Sequence, residues 1–242
     1  MKKNIFILGA NSDLAKSLSI DLASKGYDLT LFSRNIDSIR DHITNLKNEY
    51  GVNIQAHNID LNNLELKSHK IIINDLYGII SCVGYLGDQK KAHLDHSEVD
   101  NIFNSNLIGV IKFINYFKSE LINKNQGFIV GVSSIAGSRG RKKNYYYGAS
   151  KAGLTNYLSG LRSDLYKNNI KVFTVLPGFI DTKMIKNLRT PSFLTIQPDA
   201  LSKIIIFSIK KRKYVIYQSL IWRIIDFIIK NMPEFIFKKI KF

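Results

Sequence analysis

The sequence predicts a single doubly wound α/β domain with a mostly parallel seven-stranded sheet, followed by an amphipathic C-terminal helical tail. Three observations predict it. Short apolar runs alternate with segments of helical periodicity along most of the chain. No internal repeat and no Pro- or Ser-rich linker interrupts that alternation. The 242 residues are 45% hydrophobic and 22% charged, the balance of a globular chain long enough to bury a sizeable core. On this reading residues 1–217 form the domain and 218–242 the tail.

Ile5 to Leu8 is an apolar run ending at Gly9, and a helix carrying Leu14, Leu18 and Leu22 follows at once. Two lysines before a short apolar run look like a leader. Gly9 to Asp13 breaks the run with turn chemistry, so it reads instead as a buried first strand. Strand, glycine turn and helix N-terminus make a phosphate cradle, because the first N–H groups of a helix lack partners and the dipole's positive end points at the turn. An ordinary βα turn has the same pattern. Asp28 to Ser33 is the second strand, a helix runs from about Asn35 to Tyr50, and Val52 to His57 is the third strand. In a dinucleotide fold the end of the second strand meets the adenosine ribose. Ser33 and Arg34 stand there instead of a carboxylate, and a hydroxyl with a guanidinium suits a 2′-phosphate, so NADP(H) is expected over NAD(H). A solvated loop arginine is the alternative. Asp60 can accept from an adenine amino group or cap the next helix.

Tyr77 to Val83 is the fourth strand and ends in a loop with Gly84 and Gly87, which permit close approach of a ligand. Val99, Phe103, Asn106, Val110, Phe113 and Phe117 then fall on one helical stripe. Asn106 is its polar member, so its amide needs a backbone or water partner. Phe128 to Val132 is the fifth strand, and Ser134 lies past its carboxyl end, where α/β proteins bind ligands. Tyr147 and Lys151 open a helical run with Leu154, Leu158, Leu161 and Leu165, and their spacing puts both on one face. An ammonium beside a phenol favours the phenolate and draws its pKa towards the working range, while the Ser134 hydroxyl can hold a carbonyl oxygen. A core Tyr beside a surface Lys has the same spacing. Lys171 to Leu176 is the sixth strand, followed by Pro177, Gly178 and Thr182 in another strand-end loop. Lys183 to Pro198 reads as a mobile substrate loop, Asp199 to Ile209 as a helix and Tyr214 to Tyr217 as the last strand.

Cys82 is the only cysteine, which excludes an intramolecular disulfide and fits a reducing, cytoplasmic setting. The five histidines, His42, His57, His69, His93 and His96, show no paired metal spacing, and no metal is expected. The net charge is +16, and half of it lies from Leu201 onward, where ten Lys or Arg face only Asp226 and Glu234. In the tail Ser219, Arg223, Asp226 and Lys230 share one stripe, with large apolar residues around the rest. The apolar run is short and interrupted, so it is expected to lie on the inner face of an anionic membrane, with Trp222 and the lysines at headgroup depth. Packing on the body or on a second subunit is the alternative. The wide apolar face favours lipid or protein over nucleic acid. Arg139, Arg141, Lys142 and Lys143 lie between Ser134 and Tyr147, so their loop starts and ends beside the reacting group and can grip a substrate phosphate, or be a solvated basic loop.

With Gly9, Asn106, Ser134, Tyr147, Lys151 and Pro177-Gly178 in this order, the chain resembles the short-chain dehydrogenase/reductase superfamily, whose domain is a Rossmann fold, over roughly residues 1–217. The resemblance implies Tyr147 as proton donor, Lys151 as its modulator and nicotinamide-ribose ligand, Ser134 as the group that orients the carbonyl, and Asn106 as holder of a water relay. It implies cofactor contacts at Gly9, Asn11, Ser12, Asp13, Leu14, Ser33, Arg34, Asp60, Leu61, Val83, Gly84, Pro177, Gly178, Ile180 and Thr182, besides Tyr147 and Lys151, and a homo-oligomer. The sequence departs from the usual pattern with Leu8, Asp13 and Ala15 where Thr, Gly and Gly are expected, and with SCVG at Ser81 to Gly84 in place of NNAG. Within the superfamily, GANSDLA, the GYLGD loop, the basic segment before YYYGASKAGL, PGFIDTKM and the Pro-containing basic tail are similar to the ketoreductases of the decaprenylphosphoryl-ribose 2-epimerase system and related envelope-sugar pathways. That likeness implies reduction of a phosphate- or lipid-linked 2-keto pentose made by a flavin-dependent oxidase partner. The rivals are a soluble carbonyl or 3-oxoacyl reductase, and a non-catalytic binding module that keeps the fold.

Overall fold

The computed structural model describes residues 2–66, 71–186 and 190–240; His69 and residues 187–189 of the expected substrate loop lie outside them. Strands β1 (Asn4–Leu8), β2 (Asp28–Ser33), β3 (Ile54–Asn58), β4 (Leu76–Ser81), β5 (Gly127–Val132) and β6 (Ile170–Leu176) pair with a last strand, β9 (Val215–Tyr217), in one sheet. Its order is β3, β2, β1, β4, β5, β6, β9, and every pairing is parallel. Two short strands, β7 (Phe179–Ile180) and β8 (Thr195–Ile196), pair on their own beside it and were not anticipated.

A parallel strand covered on both faces must be apolar throughout, and β1 shows it: Ile5 and Ile7 join one core, Phe6 and Leu8 the other. The first core is closed by α1 (Asp13–Ala23), α2 (Arg40–Tyr50) and α6 (Pro198–Lys210), through side chains such as Leu18, Leu46 and Ile205. The second is closed by α4 (Gly109–Lys124) and α5 (Tyr145–Asp164), with Phe113, Phe117, Leu154 and Leu158 fully or almost fully buried. From β1 the chain winds to one edge, and from β4 to the other. The crevice at that reversal, beyond the carboxyl ends of the strands, is where such sheets bind ligands.

Two expected helices differ. The Asn35 start is displaced because the Asn58 carboxamide oxygen accepts from the Ile36 N–H at 2.8 Å and Asn35 caps Ser38, so a 3₁₀ turn, Asp37–Ile39, precedes α2. The stretch read as one helix from Val99 to Phe117 is α3 (His96–Phe103), a π turn (Asn104–Ile108) and α4. A π turn adds one residue to a turn and commonly marks a functional position.

The tail packs on the body. Helix α7 (Leu220–Asn231), capped by the Ser219 hydroxyl, is followed past Pro233 by α8 (Glu234–Phe237). Trp222, placed at headgroup depth by the sequence, is only 5% exposed: its ring lies on Gly178 and edge-on to Phe179, and its indole N–H donates to the Leu194 carbonyl at 2.9 Å. A Cβ at Gly178 would collide with that ring, so this backbone position has to be glycine for the tail to dock. Asp226, which shares a stripe with Ser219, Arg223 and Lys230, is buried as well and takes hydrogen bonds from Ser138, Tyr217 and Lys230. Among the described residues no helix is long and apolar enough to cross a membrane.

Candidate active site

A cleft of about 730 Å³ opens over the carboxyl ends of β1, β2, β4 and β5. Its floor begins at the β1–α1 turn. Gly9 sits at φ +81°, and a Cβ there would press on the Val83 amide at 3.0 Å, so only glycine lets the turn lie this close to the neighbouring strand end. The Ser12 N–H returns to the Gly9 carbonyl and the Ser12 hydroxyl accepts from the Ala15 N–H at 3.2 Å, which leaves the free N–H end of α1 at the cleft wall with Asp13 and Leu14. Ser33 and Arg34 line the cleft at the end of β2; Asp60 and Leu61 line it past β3. Asp60 accepts from the Asn62 N–H at 3.0 Å in a tight turn and starts no helix.

Every residue expected at a cofactor lines this one cleft, including Asn11, Ser12, Asp13, Leu14, Val83, Gly84, Pro177, Gly178, Ile180 and Thr182. Two contacts roof it. The Asp13 carboxylate accepts from the Lys183 N–H at 3.2 Å, and Met184 covers Gly84 so closely that a Cβ there would meet its methyl at 2.9 Å.

Ser134, Tyr147 and Lys151 stand together on the β5 and α5 side. Ser134 is extended at φ −167°, and its hydroxyl oxygen accepts from the Ala136 N–H at 3.1 Å; it lines the cleft together with Tyr147. Lys151 is 1% exposed, and its ammonium donates to the Val83 and Val132 carbonyls at 2.8 and 2.9 Å, with the Tyr147 ring centroid at 5.8 Å. Ser133 ties the helix to the strand end by donating to the Lys151 carbonyl at 2.8 Å.

The expectation that the ammonium draws the phenol's pKa down does not hold. Burial pushes the Tyr147 hydroxyl up to about 12, against which the Ser134 hydroxyl works in the lowering direction, and burial pulls Lys151 down to about 7. Burial is the larger influence on both groups, and two of the three ammonium N–H donors are taken by the Val83 and Val132 carbonyls. Tyr147 is therefore held as a protonated acid.

Asn106 has the backbone partner that its buried amide requires. It is fully buried but does not line the cleft; its amide spans the Tyr85 backbone, accepting from the N–H and donating to the carbonyl, each at 2.8 Å. It is a positioning residue for the loop after β4. Glu98, which the sequence reading missed, does the same: its buried carboxylate accepts from the Tyr85 hydroxyl at 2.8 Å and the Asp88 N–H at 2.9 Å. A glutamate in an amphipathic helix carries no signal that it points inward.

The basic loop is corrected in part, for Arg139, Arg141, Lys142 and Lys143 all lie outside the cleft lining. Arg139 donates to the Ile229 and Met232 carbonyls and to Glu234 and lies over the Phe237 ring, so it is a clamp on the tail rather than a phosphate ligand. Arg141 is half-buried and feels the Asp226 carboxylate. Lys142 and Lys143 are exposed.

A model of the short chain dehydrogenase family matches residues 3–192. Over 242 residues the chain is 24% identical to an uncharacterized oxidoreductase of Mycobacterium tuberculosis, covering 97% of this chain and 96% of that protein. It is 30% identical over 191 residues to the 3-oxoacyl-(acyl-carrier-protein) reductase of Buchnera aphidicola, covering 77% of each. Among solved structures it superposes on a short-chain dehydrogenase from Sphingobium yanoikuyae in complex with NADPH at TM-score 0.81 and 19% identity, covering 96% of this chain and 97% of that one.

Proposed function

The chain belongs to the short-chain dehydrogenase family and is an oxidoreductase, and we propose that it reduces a keto group with NADPH as the hydride donor. The observation that carries this reading is the single cleft joining the α1 N-terminus, Ser33 with Arg34, and the buried set of Ser134, Tyr147 and Lys151. The residues fit a dinucleotide. The free N–H end of α1 suits a pyrophosphate, Ser33 and Arg34 suit a 2′-phosphate, and the Lys151 ammonium suits ribose hydroxyls. Bound there, the nicotinamide supplies a hydride. The Ser134 hydroxyl orients the substrate carbonyl, Tyr147 protonates its oxygen, and the Lys151 charge offsets the phenolate left behind.

The motifs shared with envelope-sugar ketoreductases and the exposed Lys142 and Lys143, five and four residues before Tyr147 in the chain, support a phosphate- or lipid-linked keto sugar, a 2-keto pentose in particular, as substrate. A flavin-dependent oxidase would supply that ketone. The enzyme then works in the cytoplasm as a homo-oligomer, at the inner face of the membrane. A second reading, a soluble carbonyl or 3-oxoacyl reductase, is favoured by the likeness to the Buchnera enzyme. NADPH oxidation against keto-sugar phosphates, polyprenyl-linked keto sugars and a 3-oxoacyl thioester separates the two. Turnover of the sugars, weakened by Lys142→Ser with Lys143→Ser, is expected; turnover of the thioester alone would establish the second.

Cofactor choice has its own test. Arg34→Ala is expected to raise the NADPH KM about 10- to 100-fold with the NADH KM unchanged, the loss of one charge-assisted contact of roughly 1.5–3 kcal/mol. Equal effects on both cofactors would remove Arg34 from 2′-phosphate recognition.

A further inference from the structure

We propose that the outward face of α7 and α8 docks on an anionic lipid bilayer, holding the elements that build the cleft beside it. This deepens the reading of a lipid-linked substrate and rests on it. A surface helix ordinarily turns its apolar side inward and its charges outward. Here the arrangement is reversed for the acid, since Asp226 is buried against Ser138 and Tyr217. Leu220 at 68% exposure, Ile224, Phe227 at 68% and Ile228 share one outward face of α7 by helical spacing, and Phe235 is exposed beyond Pro233. Contiguous exposed apolar side chains of this size mark a docking surface rather than a solvated one.

Charge decides the occupant. Arg223 on α7 and Lys238 and Lys239 just past α8 are exposed, and the acids of the segment are taken up by body and helix partners, Asp226 as above and Glu234 by Arg139. A second copy laid on this face would bring two sets of like charges together, whereas an anionic headgroup layer complements both the cations and the apolar side chains. A helix of 12 residues is too short to cross the bilayer and lies in its surface.

The contacts that hold α7 in this attitude reach the cleft. Ser138 and Arg139 belong to the loop from Ser134 to Tyr147, and Trp222 packs on Gly178, which lines the cleft. The docking face and the cleft are thus joined through one helix, so a substrate whose lipid stays in the membrane is held beside the elements that build the cleft.

The test is flotation of the full chain with vesicles of phosphatidylcholine alone or mixed with phosphatidylglycerol, using the wild type, the triple variant Ile224→Ser, Phe227→Ser, Phe235→Ser, and the double variant Lys238→Glu, Lys239→Glu. Binding to the mixed vesicles is expected, reduced about tenfold or more by either variant and by high salt. Equal binding by the wild type and the triple variant would overturn the proposal. So would wild type that binds neither vesicle and forms a dimer that the triple variant dissociates, which assigns the face to a second copy. NADPH oxidation with a small water-soluble ketone, measured in parallel, is expected to be the same in all three proteins. Its absence in the wild type would count against the reductase reading and leave the flotation result to decide docking.

Discussion

Tyr147→Phe is expected to lower kcat/KM for ketone reduction about 10²- to 10⁴-fold, with melting temperature and cofactor affinity close to those of the wild type. The size follows from the loss of the proton donor alone, because Ser134 still orients the carbonyl and Lys151 keeps its two carbonyl partners. The pH dependence follows from the same burial. Tyr147, up at about 12, stays protonated across the working range and adds no limb. Lys151, down at about 7, carries its charge below that pH and loses it above. Proton donation creates a buried phenolate that only the charged form offsets, so reduction is expected to be fast on the acid side of about 7 and to decline as pH rises through it. Steady-state rates at saturating cofactor from about pH 6 to 9 measure this. A flat profile would mean that the ammonium charge is not used.

Trp222→Ala is expected to cost roughly 3–5 kcal/mol, the usual range for deleting a buried aromatic ring. For a chain of this length that is a fall of roughly 6–20 °C in melting temperature. The ring fills the space above Gly178, and its N–H is a partner of the Leu194 carbonyl, which Gln218 also serves at 3.1 Å. The damage therefore reaches the cleft: the segment carrying β8 loses an anchor, and KM for substrate is expected to rise. Trp222→Phe should recover part of the stability, because a ring is restored without the donor. Thermal unfolding of the two variants checks this, and a fall of less than about 2 °C for Trp222→Ala would show the tail to be an appendage rather than part of the core.

The sheet was legible because a parallel strand buried on both faces leaves an unbroken apolar run, as in Ile5 to Leu8 and Phe128 to Val132. The meeting of Ser134, Tyr147 and Lys151 was legible for a related reason: helical spacing fixes two of them on one face, and a strand end places the third. What escaped depends on which way a side chain faces. Periodicity puts Ser219, Arg223, Asp226 and Lys230 on one stripe without saying that Asp226 is pulled inward by Ser138 and Tyr217. It runs through Asn104–Ile108 without showing that an extra residue there aims Asn106 at the Tyr85 backbone. Arg139 read as a free cation until Glu234 and the Ile229 and Met232 carbonyls, about ninety residues downstream, were placed beside it. The direction of the Tyr147 shift was missed because desolvation is set by burial, which spacing does not encode.

The central claim is that Tyr147 protonates a carbonyl oxygen as a hydride reaches its carbon in the cleft above Gly9. The most direct measurement supplies NADPH deuterated at the transferable position together with a keto-sugar phosphate, and locates the label by mass spectrometry. Deuterium on the former carbonyl carbon with the wild type, and almost none with Tyr147→Phe at equal cofactor occupancy, is the predicted result. Equal labelling by both proteins, or none by a wild type that binds the cofactor and the ketone, would contradict it.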